Sequence, residues 1–275
     1  MLPVTSGRET RVSQPKAAIF DLDGVLWRGD APIEGAAETV AELRRRGLRI
    51  GFCTNNSTRH RRDVAAKLRS VGFPANEEDV LTAGALAAEI VAARHPGVAA
   101  YVIGEAGLAD ELAEAGVPVT SDYGVAGVVV VGWDRAISFE KLRAAHRAIV
   151  GGAAFFATNP DPRFPEEDGG SAPGCGALTV ALERSTGVTA ECHGKPSPSL
   201  FLSFARAWGV EPADVHCVGD QLVTDIAAAN RFGGTSVLVL TGVTTRGAAE
   251  AAVGESRPDV VLESVAELPG SLGVA

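Results

Sequence analysis

Two carboxylates stand two residues apart in the run Asp21-Leu22-Asp23-Gly24-Val25-Leu26, directly after a short apolar stretch. Side chains alternate along a strand, so Asp21 and Asp23 can serve one site only where the chain turns sharply after Asp21, a turn that Gly24 permits. Neighbouring carboxylates repel unless a cation lies between them, so a shared site calls for a metal. The same pattern on its own also describes a polar strand end. A second run, Thr54-Asn55-Asn56-Ser57, follows an apolar strand and precedes a helix. There the backbone N–H groups, the Thr54 hydroxyl and the positive end of the helix could face an anion, while Ser57 or Thr58 could equally be a plain N-cap.

A third run, Gly194-Lys195-Pro196-Ser197-Pro198, places an ammonium just before a helix, with Ser197 suited to the N-cap and Pro198 to the first turn. It is not a P-loop: Pro196 stands where Ser or Thr must hold magnesium, and Gly187 lies too far from Gly194. The fourth run, Gly219-Asp220-Gln221-Leu222-Val223-Thr224-Asp225, again follows an apolar strand. Asp220 at the strand end could reach the metal of Asp21; Thr224 and Asp225 open the next helix and could merely cap it.

The elements that must position these residues alternate. Residues 17–22 and 48–53 are apolar and suit buried parallel strands. Helix 36–46 joins them, with Ala36, Val40 and Leu43 on one face and Gly47 as its stop; helix 59–71 follows, with Val64, Leu68 and Val71 at helical spacing. The second half repeats the order: helix 198–208, strand 215–218, helix 225–232, strand 236–240 and a short strand near Val260. This is an α/β pattern, and each of the four runs falls where a strand ends or a helix begins, where open α/β sheets place ligands. Residues 57 to 194, which separate the second run from Lys195, are too many for a structureless loop. Strands 100–104, 127–132 and 153–158 with helices 108–115, 139–150 and 176–185 make the middle of the chain a domain of its own, over 82–189. The core is then 16–81 with 190–275, and 1–15 reads as a flexible tail with no signal-peptide character.

Composition excludes several classes of function. A net charge of -9, with 46% hydrophobic and 21% charged residues and no long run of one sign, gives a globular protein without a field for nucleic acid or anionic lipid. The longest apolar run, 125–131, is too short to span a bilayer. Cys53, Cys175, Cys192 and Cys217 match neither a zinc spacing nor a disulfide framework and read as buried thiols in a reducing, cytoplasmic setting.

Together the four runs resemble the motifs DxDGV, TNN, GKP and GDxxxTD of the haloacid dehalogenase (HAD) superfamily. The longer stretches DLDGVLWRGDAPIEGA, ATNPD and GCGALTVALERSTG resemble its subfamily IIA, the p-nitrophenyl-phosphatase-like or NagD-like branch. The resemblance implies a Rossmann-like parallel-sheet core with an inserted α/β cap of the C2 type. It also implies a magnesium-dependent phosphatase that hydrolyses a small phosphate monoester of metabolism through an aspartyl-phosphate. In that reading Asp21 is the nucleophile and Asp23 the acid and base. Mg2+ is held by the Asp21 and Asp220 carboxylates and the Asp23 carbonyl; Thr54, Asn55, Asn56 and Lys195 bind the phosphate. Asp225 orients Lys195 or a water on the metal. Aspartate at position 23 favours phosphoenzyme hydrolysis, because members that dehalogenate or retain the phosphoenzyme lack a carboxylate there. Asn159, Asp161 and Arg163 are the expected substrate contacts, and the resemblance admits a homodimer formed through the caps. Gln221 and Val223 depart from the commoner polar residues at their positions. Two further readings use the same residues: a phosphotransferase or phosphomutase, and a weakly active protein that binds a phosphorylated metabolite.

Overall fold

The computed structural model describes residues 15–165 and 170–272. Most of the expected N-terminal tail, and residues 166–169 of the loop after Arg163, lie outside the described residues.

Strand Ala17–Phe20 lies inside a six-stranded, all-parallel sheet. Its order is Val260–Leu262, Thr235–Val239, Val215–Gly219, Ala17–Phe20, Arg49–Thr54, Val80–Thr82. The residues of Ala17–Phe20 are all buried, as befits a strand covered on both faces. Ala18 and Phe20 enter one core with Leu43, Phe52 and Leu68, while Ala17 and Ile19 enter the other with Leu200, Phe201 and Phe204. That alternation fixes where the strand ends point. Register pairs Phe20 with Val218 on one side and with Phe52 on the other, so the residues after these rungs emerge at one edge of the sheet.

A second parallel sheet has the order Glu191–Cys192, Ala154–Ala157, Val128–Val131, Ala100–Ile103, Val119–Thr120. It too has cores on both faces, Val129, Val131 and Phe155 on one side, Val128, Val130 and Phe156 on the other. The two sheets meet around the start of helix Arg61–Ser70. Glu111, on helix Ala106–Glu114, is buried and accepts hydrogen bonds from the Arg61 backbone N–H at 2.6 Å and from its guanidinium at 3.0 Å. Gly107 makes the approach possible, since a Cβ there would lie 2.4 Å from the Arg59 carbonyl carbon.

The structure departs from the sequence expectations in several places. Strand Val80–Thr82 and helix Ala83–Arg94 were not predicted; the helix is made mostly of small and apolar residues and carries no amphipathic stripe to reveal it. Glu191–Cys192 pairs with Ala154–Ala157 in the second sheet. Strand Ser171–Pro173, before helix Cys175–Thr186, was not predicted and pairs antiparallel with Arg163–Pro165. Pro198, not Ser197, occupies the N-cap of helix Ser199–Trp208. His60, rather than Ser57 or Thr58, caps helix Arg61–Ser70, its ring accepting from the Arg62 N–H. Among the described residues no helix is long and apolar enough to cross a membrane.

Candidate active site

Asp21 follows its strand directly and donates its backbone N–H to the Val218 carbonyl at 2.8 Å, which holds it in line with the sheet. The chain then turns: Leu26 N–H bonds the Leu22 carbonyl at 2.8 Å, and Gly24 takes a φ of 83°. The turn separates the two aspartates. Asp21 is buried, whereas Asp23 is exposed, with its carboxylate accepting from the Trp27 indole N–H at 2.8 Å.

Lys195 reaches the same point from the other end of the chain. Its ammonium donates to Asp21 Oδ1 at 2.5 Å and to Asp225 Oδ1 at 2.6 Å, with only 2% of the residue exposed. Asp225 is aimed by an unusually wide turn, Leu222–Ile226, in which the Asp225 and Ile226 N–H groups both bond the Gln221 carbonyl at 3.0 and 3.1 Å. Such π-type turns cluster at functional sites. The second Asp225 oxygen accepts from the N–H groups of Asp220 and Gln221 at 3.2 and 3.0 Å. Gly219 is required here, because a Cβ would lie 2.1 Å from that of Asp225. Val223, the departure from the commoner pattern, points outward and is 68% exposed.

Asp220 completes the cluster. Its Oδ2 accepts from the Val243 N–H at 2.7 Å, while its Oδ1 is buried with no hydrogen-bond partner. Carboxylate oxygens of Asp21, Asp220 and Asp225 lie within 4.8 Å of one another. Three buried carboxylates against one ammonium leave an excess of negative charge. Burial first, then the Asp225 carboxylate, pushes Asp220 up to about 7. Burial likewise raises Asp21 well above the usual carboxylate range, against the pull of Lys195. Burial alone would lower Lys195, but Asp21 and Asp225 together hold it well above its ordinary value, so it stays an ammonium. The all-oxygen donor set and the orphaned Asp220 Oδ1 fit a hard divalent cation.

The Thr54–Ser57 loop lies beside this cluster. Thr54 is buried and its hydroxyl accepts from the Asn56 N–H at 3.1 Å, while Asn56 Oδ1 accepts from the Thr58 N–H and hydroxyl at 2.9 and 2.7 Å. Asn55 bonds the Lys195 backbone instead, with Lys195 N–H donating to its Oδ1 at 2.8 Å. The second sheet reaches the loop as well. Ser57 and Thr158 hydroxyls are 3.1 Å apart, Asn159 Nδ2 donates to the Asn55 carbonyl at 2.7 Å, and Asp161 accepts from Asn55 Nδ2 at 3.0 Å. Arg163, on the adjoining hairpin, is exposed. The cluster also adjoins two buried thiols held in the protonated form: burial pushes Cys53 up to about 12 and raises Cys217 well above its ordinary value.

A family model described as haloacid dehalogenase-like hydrolase matches residues 18–118, and a second, HAD-hydrolase-like, matches residues 192–268. The chain is 36% identical to an acid sugar phosphatase of Staphylococcus aureus over 234 residues, 85% of this chain and 90% of that one. It belongs to the haloacid dehalogenase-like hydrolase family. Among solved structures, a p-nitrophenyl phosphatase from Archaeoglobus fulgidus superposes with a TM-score of 0.88 at 38% identity, covering 94% of this chain and 100% of the other. A glycerol phosphate phosphatase from Mycobacterium tuberculosis, in complex with magnesium, has a TM-score of 0.86 at 33% identity, over 94% of this chain and 77% of that one.

Three features of this family member escape a reading of its sequence. The loop after Thr235–Val239 holds Asp220 through the Val243 N–H, and a Cβ on Gly242 would lie 1.9 Å from Asp220 Oδ2. The signal was present, since Leu240-Thr241-Gly242 follows an apolar strand just as three of the four runs do. The Trp27 bond to Asp23 and the Asn55 bonds to Lys195 had no comparable signal.

Proposed function

We propose that this protein is a magnesium-dependent phosphatase that hydrolyses small phosphate monoesters through an aspartyl-phosphate on Asp21. The observation that carries the reading is the Lys195 ammonium between the Asp21 and Asp225 carboxylates, beside an Asp220 oxygen with no partner of its own. The named activities of its relatives support it, and so does the magnesium in one of them.

Asp21 attacks phosphorus in line and the ester oxygen leaves, taking a proton from Asp23. Water then attacks phosphorus, giving its proton to the Asp23 carboxylate, and the Asp21 carboxylate departs as inorganic phosphate forms. Lys195, Thr54 and the backbone N–H groups of Asn55 and Asn56 meet the negative phosphate oxygens, with Asp225 fixing the ammonium. Magnesium, held by Asp21, Asp220 and the Asp23 carbonyl, would supply the positive charge that lets an anionic nucleophile approach an anionic phosphate. Residues 82–189 act as a cap over this edge of the core, and the exposed Arg163 of that cap discriminates among leaving groups. The four free thiols suit the cytosol.

Purified protein is expected to release phosphate from p-nitrophenyl phosphate, and from some members of a panel of sugar, glycerol and glycolate phosphates, only when magnesium is added. Asp21→Asn should fold normally and lose at least ~10³-fold in kcat, as enzymes do without their nucleophile. Turnover retained by that variant would exclude the covalent route through Asp21.

A further inference from the structure

Asn55 is expected, by resemblance, to bind phosphate, yet its side chain is committed elsewhere. Its Oδ1 accepts from the Lys195 backbone N–H at 2.8 Å and its Nδ2 donates to the Lys195 carbonyl at 2.9 Å. The other Nδ2 hydrogen serves Asp161 Oδ2 at 3.0 Å. A carboxamide has two donor hydrogens and one acceptor oxygen, so every group is in use. The paired bonds to Lys195 mimic those exchanged between opposed residues of antiparallel strands, and they set both the place and the rotation of that peptide.

The surroundings leave this peptide no second position. A Cβ on Gly194 would lie 2.4 Å from the Thr158 carbonyl oxygen and 2.9 Å from Asn55 Oδ1, so the backbone before Lys195 is wedged between the two sheets. From the far side, Asn159 Nδ2 holds the Asn55 carbonyl at 2.7 Å. A lysine stem is flexible, and where its ammonium comes to rest depends on where its Cα is held.

We propose that Asn55 is a positioning residue for Lys195, and that Asp161 makes this positioning depend on how the second sheet is seated. The proposal rests on the reading that Lys195 binds the phosphoryl group. Asn55 acts through the Lys195 backbone, and Asp161 acts through Asn55 rather than by presenting its charge to substrate. An oxygen acceptor at position 161 is therefore what matters.

The test is steady-state kinetics with p-nitrophenyl phosphate at saturating magnesium, together with competitive inhibition by inorganic phosphate, for N55A, D161A, D161N and K195A. Misplacing a catalytic group by about 1 Å costs up to ~10²-fold, so N55A should lose about 10- to 10²-fold in kcat while phosphate inhibits it more weakly. D161A should lose several-fold in kcat, and D161N, which keeps a carbonyl oxygen for Asn55, should recover most of that loss. The proposal fails if N55A keeps kcat and phosphate inhibition within twofold of the parent. It also fails if D161N matches D161A and both raise only KM, because Asp161 would then be touching substrate with its charge. If N55A does not fold, the D161A and D161N pair decides alone. Full activity in K195A would refute the catalytic reading itself, a result distinguishable from either failure above.

Discussion

In the six-stranded sheet, the strands Ala17–Phe20, Arg49–Thr54 and Val215–Gly219 run out into Asp21, Thr54 and Asp220. In the five-stranded sheet, Ala100–Ile103, Val128–Val131 and Ala154–Ala157 run out into Gly104, Gly132 and Thr158. Both sheets are parallel, apolar within and covered on both faces, so architecture alone does not decide which one does chemistry. The strand-end residues do. One set gathers buried charge around a lysine; the other is small and uncharged, and it lets the sheet come close. A Cβ on Gly132 would lie 2.8 Å from Ser57 Oγ, and Thr158 shares a hydrogen bond with that same hydroxyl.

The largest test of this contrast is Lys195→Ala. Loss of one electrostatic donor costs ~10² to 10³ in kcat. It should also leave Asp21 and Asp225 buried without their counter-charge, where breaking a buried ion pair costs about 3–5 kcal/mol. Kinetics and thermal melting read the two effects separately, and magnesium should restore part of the lost stability. A variant as stable as the parent without magnesium would mean that the charges of this sheet end are not balanced by Lys195.

The intermediate effect is on pH. Asp220 is pushed up to about 7, so the folded protein binds this proton more tightly than the unfolded chain does. Its contribution to metal-free stability is therefore present in acid and is lost as pH rises through about 7. A cation must displace that proton, so magnesium affinity should fall by about tenfold per pH unit below 7. The rise in melting temperature caused by magnesium should be larger at pH 8 than at pH 6; equal rises would contradict the assignment. Nothing comparable is expected from the five-stranded sheet.

The smallest effect belongs to that sheet. Gly132→Ala should push against Ser57 and Leu108 Cδ2, the latter 2.9 Å from the new Cβ, at a cost of about 1–3 kcal/mol as for other overpacked sites. A several-fold fall in kcat should accompany it, measured with p-nitrophenyl phosphate, while magnesium affinity holds. Unchanged melting and kcat would show that close approach at Gly132 is not required.

Much of the larger sheet was legible because its strands are largely apolar runs, and Asp21 and Asp220 each sit one place beyond one. Lys195 and Asp225 were legible instead from the helices that follow them. What stayed hidden has physical causes. Helix Ala83–Arg94 has no polar face, and strand Glu191–Cys192 is too short to show a period. The Leu222–Ile226 turn looks like ordinary helix in its residue types, because its extra width comes from how Asp225 must reach back to the Asp220 and Gln221 N–H groups. The Asn55 carboxamide and its lysine are 140 residues apart, a distance no local pattern spans. Trp27 and Asp23 are near neighbours, but an indole beside a carboxylate carries no distinctive spacing.

Glu191–Cys192, the final strand of the five-stranded sheet, ends three residues before Lys195. The same stretch of chain closes one sheet and delivers the ammonium to the other. A compound that binds the five-stranded sheet and, by shifting that strand, displaces Lys195 changes the affinity for phosphate, and phosphate changes the grip on the compound by an equal factor, as reciprocal linkage requires. An inhibitor of this protein need never enter the pocket of Asp21.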